Sequence, residues 1–229
     1  TFDHKARQSV SGALTLNGSA GQLLSLRSSL SGSASNLLLD ASGGSQTMSY
    51  LDVQDSDGSG GRRLTCLDEC VNSENNTNWL IGKHTISGTL YADQGSTALA
   101  SKAVSVSLNA GAASDTATSN GSGEFTLSGF TLTGGTIISL YLDGETEDAV
   151  TVTLGTDSNM SGIDMYQDRL IVRSDSGSVA ITNSILAEAD DNGDSDITAL
   201  YTIINGELQM ENDGKELYVW AGDTFTPGG

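Results

Sequence analysis

The stretch Val10-Ser11-Gly12-Ala13-Leu14-Thr15-Leu16-Asn17-Gly18 decides the fold class. Val10, Leu14 and Leu16 fall on one side of an extended chain, and Asn17-Gly18 ends the run in a turn. Leu24 with Leu26, Leu37 with Leu39, and Met48 and Tyr50 with Leu51 and Val53 opposite repeat the alternation. Ser, Gly and Asn separate these runs. Residues two apart share a face of a strand, whereas a helix needs a 3.6-residue period that no stretch sustains for long. Short strands in such close succession predict a β-sheet meander or the coils of a β-solenoid. Asp55-Ser56-Asp57-Gly58-Ser59-Gly60-Gly61 closes the block as a loop, and an acidic, Asn-rich run from Asp68 to Asn78 follows. Trp79 is expected to plug the end of this first module, residues 1–81.

A second block, residues 82–167, alternates at Ile86, Gly88 and Leu90, at Val104, Val106 and Leu108, and at Phe125 and Leu127. It continues at Ile138, Leu140 and Leu142, then at Val150, Val152 and Leu154. Turn sequences at Asp93-Gln94-Gly95, Asn109-Ala110-Gly111, Asn120-Gly121 and Asp143-Gly144 punctuate it. The spacing predicts an antiparallel β-sandwich. The third segment, residues 168–229, offers strands at Leu170 to Arg173 and Val179 to Leu186. A helical turn is expected at Ile185 to Ala189 or after Asp196. A hairpin is expected to pair Leu208 and Met210 with Leu217 and Val219 around Asn212-Asp213-Gly214. The fold class is therefore all-β.

Composition narrows the function. The chain carries 28 Gly, one Pro and few aromatic residues, and 29 acidic side chains against 10 basic ones give a net charge of −19. That balance opposes nucleic acid and anionic membranes, which need a basic surface. No run approaches the ~20 apolar residues of a membrane helix, so no membrane insertion is expected. The chain begins at Thr1 without a signal-peptide pattern, as expected of a mature or excised segment. Cys66 and Cys70 are close enough in sequence to form a disulfide loop, which belongs to an oxidising compartment. The alternatives are free thiols, or a metal site for which His4 and His84 are poorly placed.

Two resemblances follow. Ile86-Ser87-Gly88-Thr89-Leu90-Tyr91-Ala92-Asp93, Ala103-Val104-Ser105-Val106 and Thr118-Ser119-Asn120-Gly121-Ser122-Gly123-Glu124-Phe125-Thr126-Leu127 resemble the carboxypeptidase-regulatory-like and Cna-B-like family. That family implies an Ig/transthyretin-like β-sandwich used as a spacer in surface proteins. Gln46 to Val53, Asp55 to Asp57, Gly60-Gly61 and Asn75 to Trp79 resemble the closing coils of β-helix repeats in very large bacterial surface proteins. Gly214-Lys215-Glu216-Leu217-Tyr218-Val219-Trp220 and the tail from Thr224 resemble the opening of the same module. The resemblance implies C-terminal strands that complete a neighbouring module.

These features point to an extracellular, cell-surface structural protein rather than an enzyme. The expected partner is a copy of the chain itself, joined head to tail into a filament, pilus-like fibre or stalk. Leu208, Met210, Leu217, Tyr218, Val219, Trp220 and Phe225 would form the inter-subunit strand, since an unpaired strand edge templates pairing with another chain. An adhesin or carbohydrate-binding module, touching a glycan or host surface through an aromatic such as Trp220, is the alternative. Asp190, Asn192, Asp194 and Asp196 place oxygens at alternate positions, a pattern open to Ca2+ or to a solvated acidic loop that caps a turn. No other cofactor is expected. A lyase built on Asp55, Asp57, Arg62 or Arg63 finds no further support, and neither histidine has a partner suited to general-base work.

Overall fold

The computed structural model describes residues 1–177, 179–190, 193–212 and 214–228, and the chain divides into two compact units, Thr1–Lys83 and His84–Gly229. In the first unit β1 (Arg7–Val10), β2 (Ala13–Asn17) and β3 (Leu24–Arg27) form three sides of one turn of the chain. β4 (Ser35–Leu39), β5 (Ser45–Ser49) and β6 (Leu51–Gln54) repeat them, as do β7 (Ser56–Asp57), β8 (Leu64–Cys66) and β9 (Val71–Asn72). β10 (Asn76–Thr77) and β11 (Trp79–Ile81) begin a further turn. The ladders between turns are parallel, with Val10 beside Leu39, Leu16 beside Met48, Leu26 beside Val53 and Leu64 beside Trp79. Meander strands alternate in direction, so of the two expected arrangements the solenoid is the one formed.

The alternation seen in the sequence turns Leu14, Leu26, Leu39, Val53 and Leu64 inward on a common core. Sharp corners need single left-handed residues. Tyr50 (φ 53°), Asp55 (φ 54°) and Asn78 (φ 59°) supply them, and Asn and Asp tolerate this region better than most residues. The Asp55 carboxylate fixes its corner by accepting from the Gly32 N–H at 3.1 Å and from Asn75 Nδ2 at 2.5 Å. Between β5 and β8 the Gln46 amide takes the place of a ladder: it accepts from the Thr65 N–H at 2.9 Å and donates to the Arg63 carbonyl at 3.0 Å. Trp79 is buried in the last turn, and its Nε1–H donates to Ser56 Oγ at 3.1 Å.

The second unit opens with β12 (His84–Tyr91), β13 (Ala103–Leu108), β14 (Asp115–Thr118), β15 (Glu124–Phe130), β16 (Ile137–Leu142), β17 (Val150–Leu154) and β18 (Met165–Tyr166). It continues through β19 (Arg169–Val172), β20 (Ile181–Thr182), α1 (Asn183–Asp190), α2 (Ser195–Thr198), β21 (Tyr201–Ile204), β22 (Glu207–Met210), β23 (Glu216–Val219) and β24 (Phe225–Thr226). A three-stranded sheet, β15-β12-β18, packs on a six-stranded one, β14-β13-β16-β17-β19-β23. Ile86, Leu90, Val106, Phe125, Leu127 and Leu140 fill the space between them. The other face of the larger sheet is covered by Leu186, Ile197 and Tyr201, which pack on Ile137, Tyr141, Val152 and Leu170. Strands β16 and β17 are buried on both faces, which explains the unbroken run Ile137-Ile138-Ser139-Leu140-Tyr141-Leu142.

Three expectations are corrected. Residues from 168 onward do not stand apart, because β19 and β23 extend the sandwich's own sheet in parallel. The strand expected over 179–186 is cut to Ile181–Thr182, since α1 begins at Asn183 and buries Leu186 and Ala189. The hairpin around residues 212–214 is not formed, and Asp213 lies outside the described residues. Leu208 and Met210 pair instead with Ile203 and Tyr201 across Asn205-Gly206. Both turn residues have positive φ (53° and 81°), the two-residue geometry that matches the twist of a hairpin.

Gly88 occupies the glycine position of the Ile86-Ser87-Gly88 strand for a steric reason. A Cβ there would lie 1.9 Å from the Ile163 carbonyl oxygen, in the segment that crosses β12. Gly88→Ala is expected to destabilise the second unit by about 2–3 kcal/mol. Gly121→Ala, where a Cβ meets nothing within 4 Å, should stay within about 0.5 kcal/mol of the parent. Denaturant unfolding of the two variants checks both.

Candidate functional site

Parallel coils impose a polarity on backbone hydrogen bonds. Each inward residue directs its N–H and C=O to the following turn. In the first unit the carbonyls of Val10, Val53 and Cys66 accept from Asp40, Ser73 and Gly82 at 2.9, 2.8 and 2.8 Å. The second unit obeys the same rule: the carbonyls of Val152 and Val172 accept from Arg173 and Trp220 at 3.1 and 2.9 Å, and the Ile181 N–H donates to Thr224 at 3.1 Å. β23 on β19 and β24 on β20 are therefore parallel additions of the same polarity as the turns of the first unit.

Both units end in open edges. β23 is the last strand of its sheet, and Leu217 and Val219 turn their backbone groups away from β19. Phe225 does the same from β24. At the first coil of the other unit, Ala6 and Val10 bond to β4, which leaves the N–H and C=O of Arg7 and Ser9 on the outer side. Ala13, Thr15 and Asn17 repeat this on β2, because Gly12 and Gly18 face β5. One edge is outgoing and the other incoming. The apolar side chains behind them are only half covered: Leu217 and Phe225 in the second unit, Phe2, Val10 and Leu16 in the first. Phe2 already occupies the third side of the incoming edge: its N–H donates to the Arg27 carbonyl at 2.8 Å and its carbonyl accepts from Ser29 at 2.7 Å.

β23 is held firmly at its start. Lys215, with only 9% of its side chain exposed, places Nζ 2.5 Å from both Asp148 Oδ2 and Asp168 Oδ1. Burial alone would lower the pKa of this ammonium, but the hydrogen bonds to the two carboxylates outweigh it and raise the value. On the outer face Tyr166, Tyr218 and Trp220 pack edge to face or tilted, with ring centroids 5.3 to 6.3 Å apart, and Arg173 stacks 4.7 Å over Trp220 while pairing with Asp175 at 2.7 Å. Lys102 is bracketed in the same way by Glu145 and Glu147.

The residues singled out in the sequence have varied fates. Leu208, Met210, Leu217, Tyr218, Val219, Trp220 and Phe225, expected as the inter-subunit strand, lie in or directly beside strands that pair within their own unit. Leu208, Met210, Leu217 and Phe225 pack on their own unit's core, and β22, β23 and β24 pair with β21, β19 and β20. Cys66 and Cys70 are joined, with Cα atoms 5.9 Å apart. Asn192 lies outside the described residues. Asp190 ends α1, Asp194 caps α2 by accepting from the Asp196 N–H at 2.9 Å, and Asp196 accepts from the Gly144 N–H at 2.7 Å. Among the described residues no group of three or more His, Cys, Asp or Glu is placed to hold a metal ion. Asp57 accepts from Ser59, and Arg62 donates to the Gly44 carbonyl, so both serve turns of the solenoid. His84 is buried, and its Nδ1 accepts from the Leu132 N–H at 2.9 Å. No helix among the described residues is long and apolar enough to cross a membrane. The Lys215 clamp escaped sequence reasoning because Asp148, Asp168 and Lys215 meet only through the parallel pairings of β17 with β19 and of β19 with β23.

No family model, curated protein or solved structure matches the chain.

Lys215→Met leaves two carboxylates facing each other without their cation and should cost about 2 kcal/mol. Hydrogen exchange at Glu216, Tyr218 and Trp220 should accelerate while the first unit is unchanged. The sign of the pH effect follows from the raised pKa. The clamp's contribution is complete below the ordinary lysine value of 10.5 and fades as pH climbs through the higher folded value, a loss the variant should lack.

Proposed function

We propose that this chain is an extracellular structural building block that joins copies of itself head to tail, as subunits of a filament or as successive repeats of a surface stalk. The observation that carries this reading is the pair of open coil edges, one outgoing at β23 and β24, the other incoming at β1 and β2. Exposed edges invite strand pairing, and stable proteins usually cover or charge them. A heterologous contact that does not close into a ring generates an open polymer. The joint in this reading is the stacking of one complete coil on another, not the loan of a strand. The Cys66–Cys70 disulfide fits an oxidising compartment, and the charge of −19 fits a protein displayed in water at high local density. A carbohydrate-binding role has less support, because Tyr166, Tyr218 and Trp220 are packed against one another and present no flat stacking platform.

Val219→Pro tests the joint. The Val219 N–H faces the open edge, so proline there removes a bond to a neighbour and none to β19, an edge context in which strands tolerate it. Negative-stain microscopy of the concentrated parent should show fibres with a one-chain axial repeat. The variant should remain dispersed with a melting temperature close to the parent's. A parent that stays monomeric at high concentration would sink the reading.

A further inference from the structure

The two edges match in register as well as in polarity. This inference rests on the assembly reading and gives it a defined partner surface. We infer that β23 of one copy lies on β1 of the next with Leu217 beside Gln8 and Val219 beside Val10, and that β24 lies on β2 with Phe225 beside Leu16.

Parity restricts the alignment, and spacing and charge are both consistent with this one. Parity comes first. In parallel pairing, a residue whose backbone faces the partner sits beside one whose backbone faces away, and inward side chains must sit beside inward ones. Leu217 and Val219 are inward and face the edge, while Gln8 and Val10 have their backbone turned to β4. A shift by one residue breaks both conditions, so only even shifts survive. Spacing comes second. The step from Val219 to Phe225 has the same length as the step from Val10 to Leu16, so both sides of the coil stack together without a bulge, and Thr224 falls on Thr15. Val10 and Leu16 are the half-covered apolar residues of the incoming edge.

Charge comes third. This alignment sets Glu216 beside Arg7 on the outer face. Glu216 already pairs with Arg169 at 2.9 Å on its other side, and its carboxylate is 60% exposed. Arg7 is exposed at the edge of β1. Stacking would build a ladder Arg169–Glu216–Arg7 across the joint. A shift by two residues one way would set Glu216 beside Ser9 and Val219 beside Gly12, losing the ion pair and an apolar contact together; the opposite shift keeps a cation, Lys5, beside Glu216 but sets Val219 beside the polar Gln8 and Phe225 beside the already buried Leu14. The polar Gln8 beside Leu217 is the one mismatch, and Gln8 is exposed near the rim.

The test uses the whole chain with its native disulfide. Glu216→Cys is mixed separately with Arg7→Cys and with Ser9→Cys under mild oxidation, since neighbouring Cα atoms in a parallel ladder are within disulfide reach. The inferred register predicts covalent dimers from the 216/7 mixture at least tenfold faster than from the 216/9 mixture. Association by light scattering with equal crosslinking, or with 216/9 ahead, overturns the register while leaving head-to-tail assembly intact. Absence of association in the parent overturns the underlying reading as well.

Discussion

The structure depends on a directional backbone ladder. In a parallel stack every inward residue gives its hydrogen bonds forward, so each coil completes the one before it and leaves the next incomplete. The inward side chains follow the same logic, because Leu37 and Leu39 are covered by the turns on either side while Val10 and Leu16 are covered on one. Such quasi-one-dimensional stacking has no intrinsic end, and something must cap it. Towards the C-terminal side of the first unit, Trp79, Leu80 and Ile81 supply a bulky last turn and the Cys66–Cys70 bridge ties the adjacent corner. The start of that unit and the end of the other have no equivalent device among the described residues.

The second unit shows how a sandwich and a coil share one sheet. Strands β13 to β17 pair antiparallel around the core that Gly88 allows to close, and at β19 the direction rule changes. From there the sheet grows by parallel addition, and Lys215 sets the register of β23 against Asp148 and Asp168. The segment from α1 to β22 leaves between two sides of a coil and returns to it, covering the outer face of β16 and β17 on the way.

Much of this was legible in the sequence, and the gaps have physical causes. Period-two alternation located the strands of the solenoid and the sandwich, because half-buried strands display their two faces. Direction was not legible: Leu14 and Leu16 look the same whether their neighbour is parallel or antiparallel, so meander and solenoid could not be separated. β14 was missed because Asp115-Thr116-Ala117-Thr118 carries almost no apolar signal. The C-terminal hairpin was misplaced because the weight given to Asn212-Asp213-Gly214 hid the better two-residue turn at Asn205-Gly206. For the candidate site, Leu217, Val219 and Phe225 were expected in a strand lent to a neighbour, whereas they lie on outer strands paired within their own unit, and Arg7, Ser9 and Glu216 gave no signal. Their role follows from backbone parity, which requires knowing which strand lies beside which.

The basic residues have a consequence for how such material would behave in bulk. Arg27, Lys102, Arg169, Arg173 and Lys215 each sit against a carboxylate of the same chain, from a total of 10 basic side chains facing 29 acidic ones. What remains on the outside is strongly anionic, with exposed cations such as Lys5, Arg7 and Lys83 few among the carboxylates. Neighbouring strands of this material would repel one another sideways over a screening distance of roughly 8 Å at physiological ionic strength. Bundling would therefore be governed by salt and divalent counter-ions, while the proposed end-to-end joint, built mainly from backbone bonds and apolar side chains, would respond to salt only through the exposed Glu216–Arg7 pair.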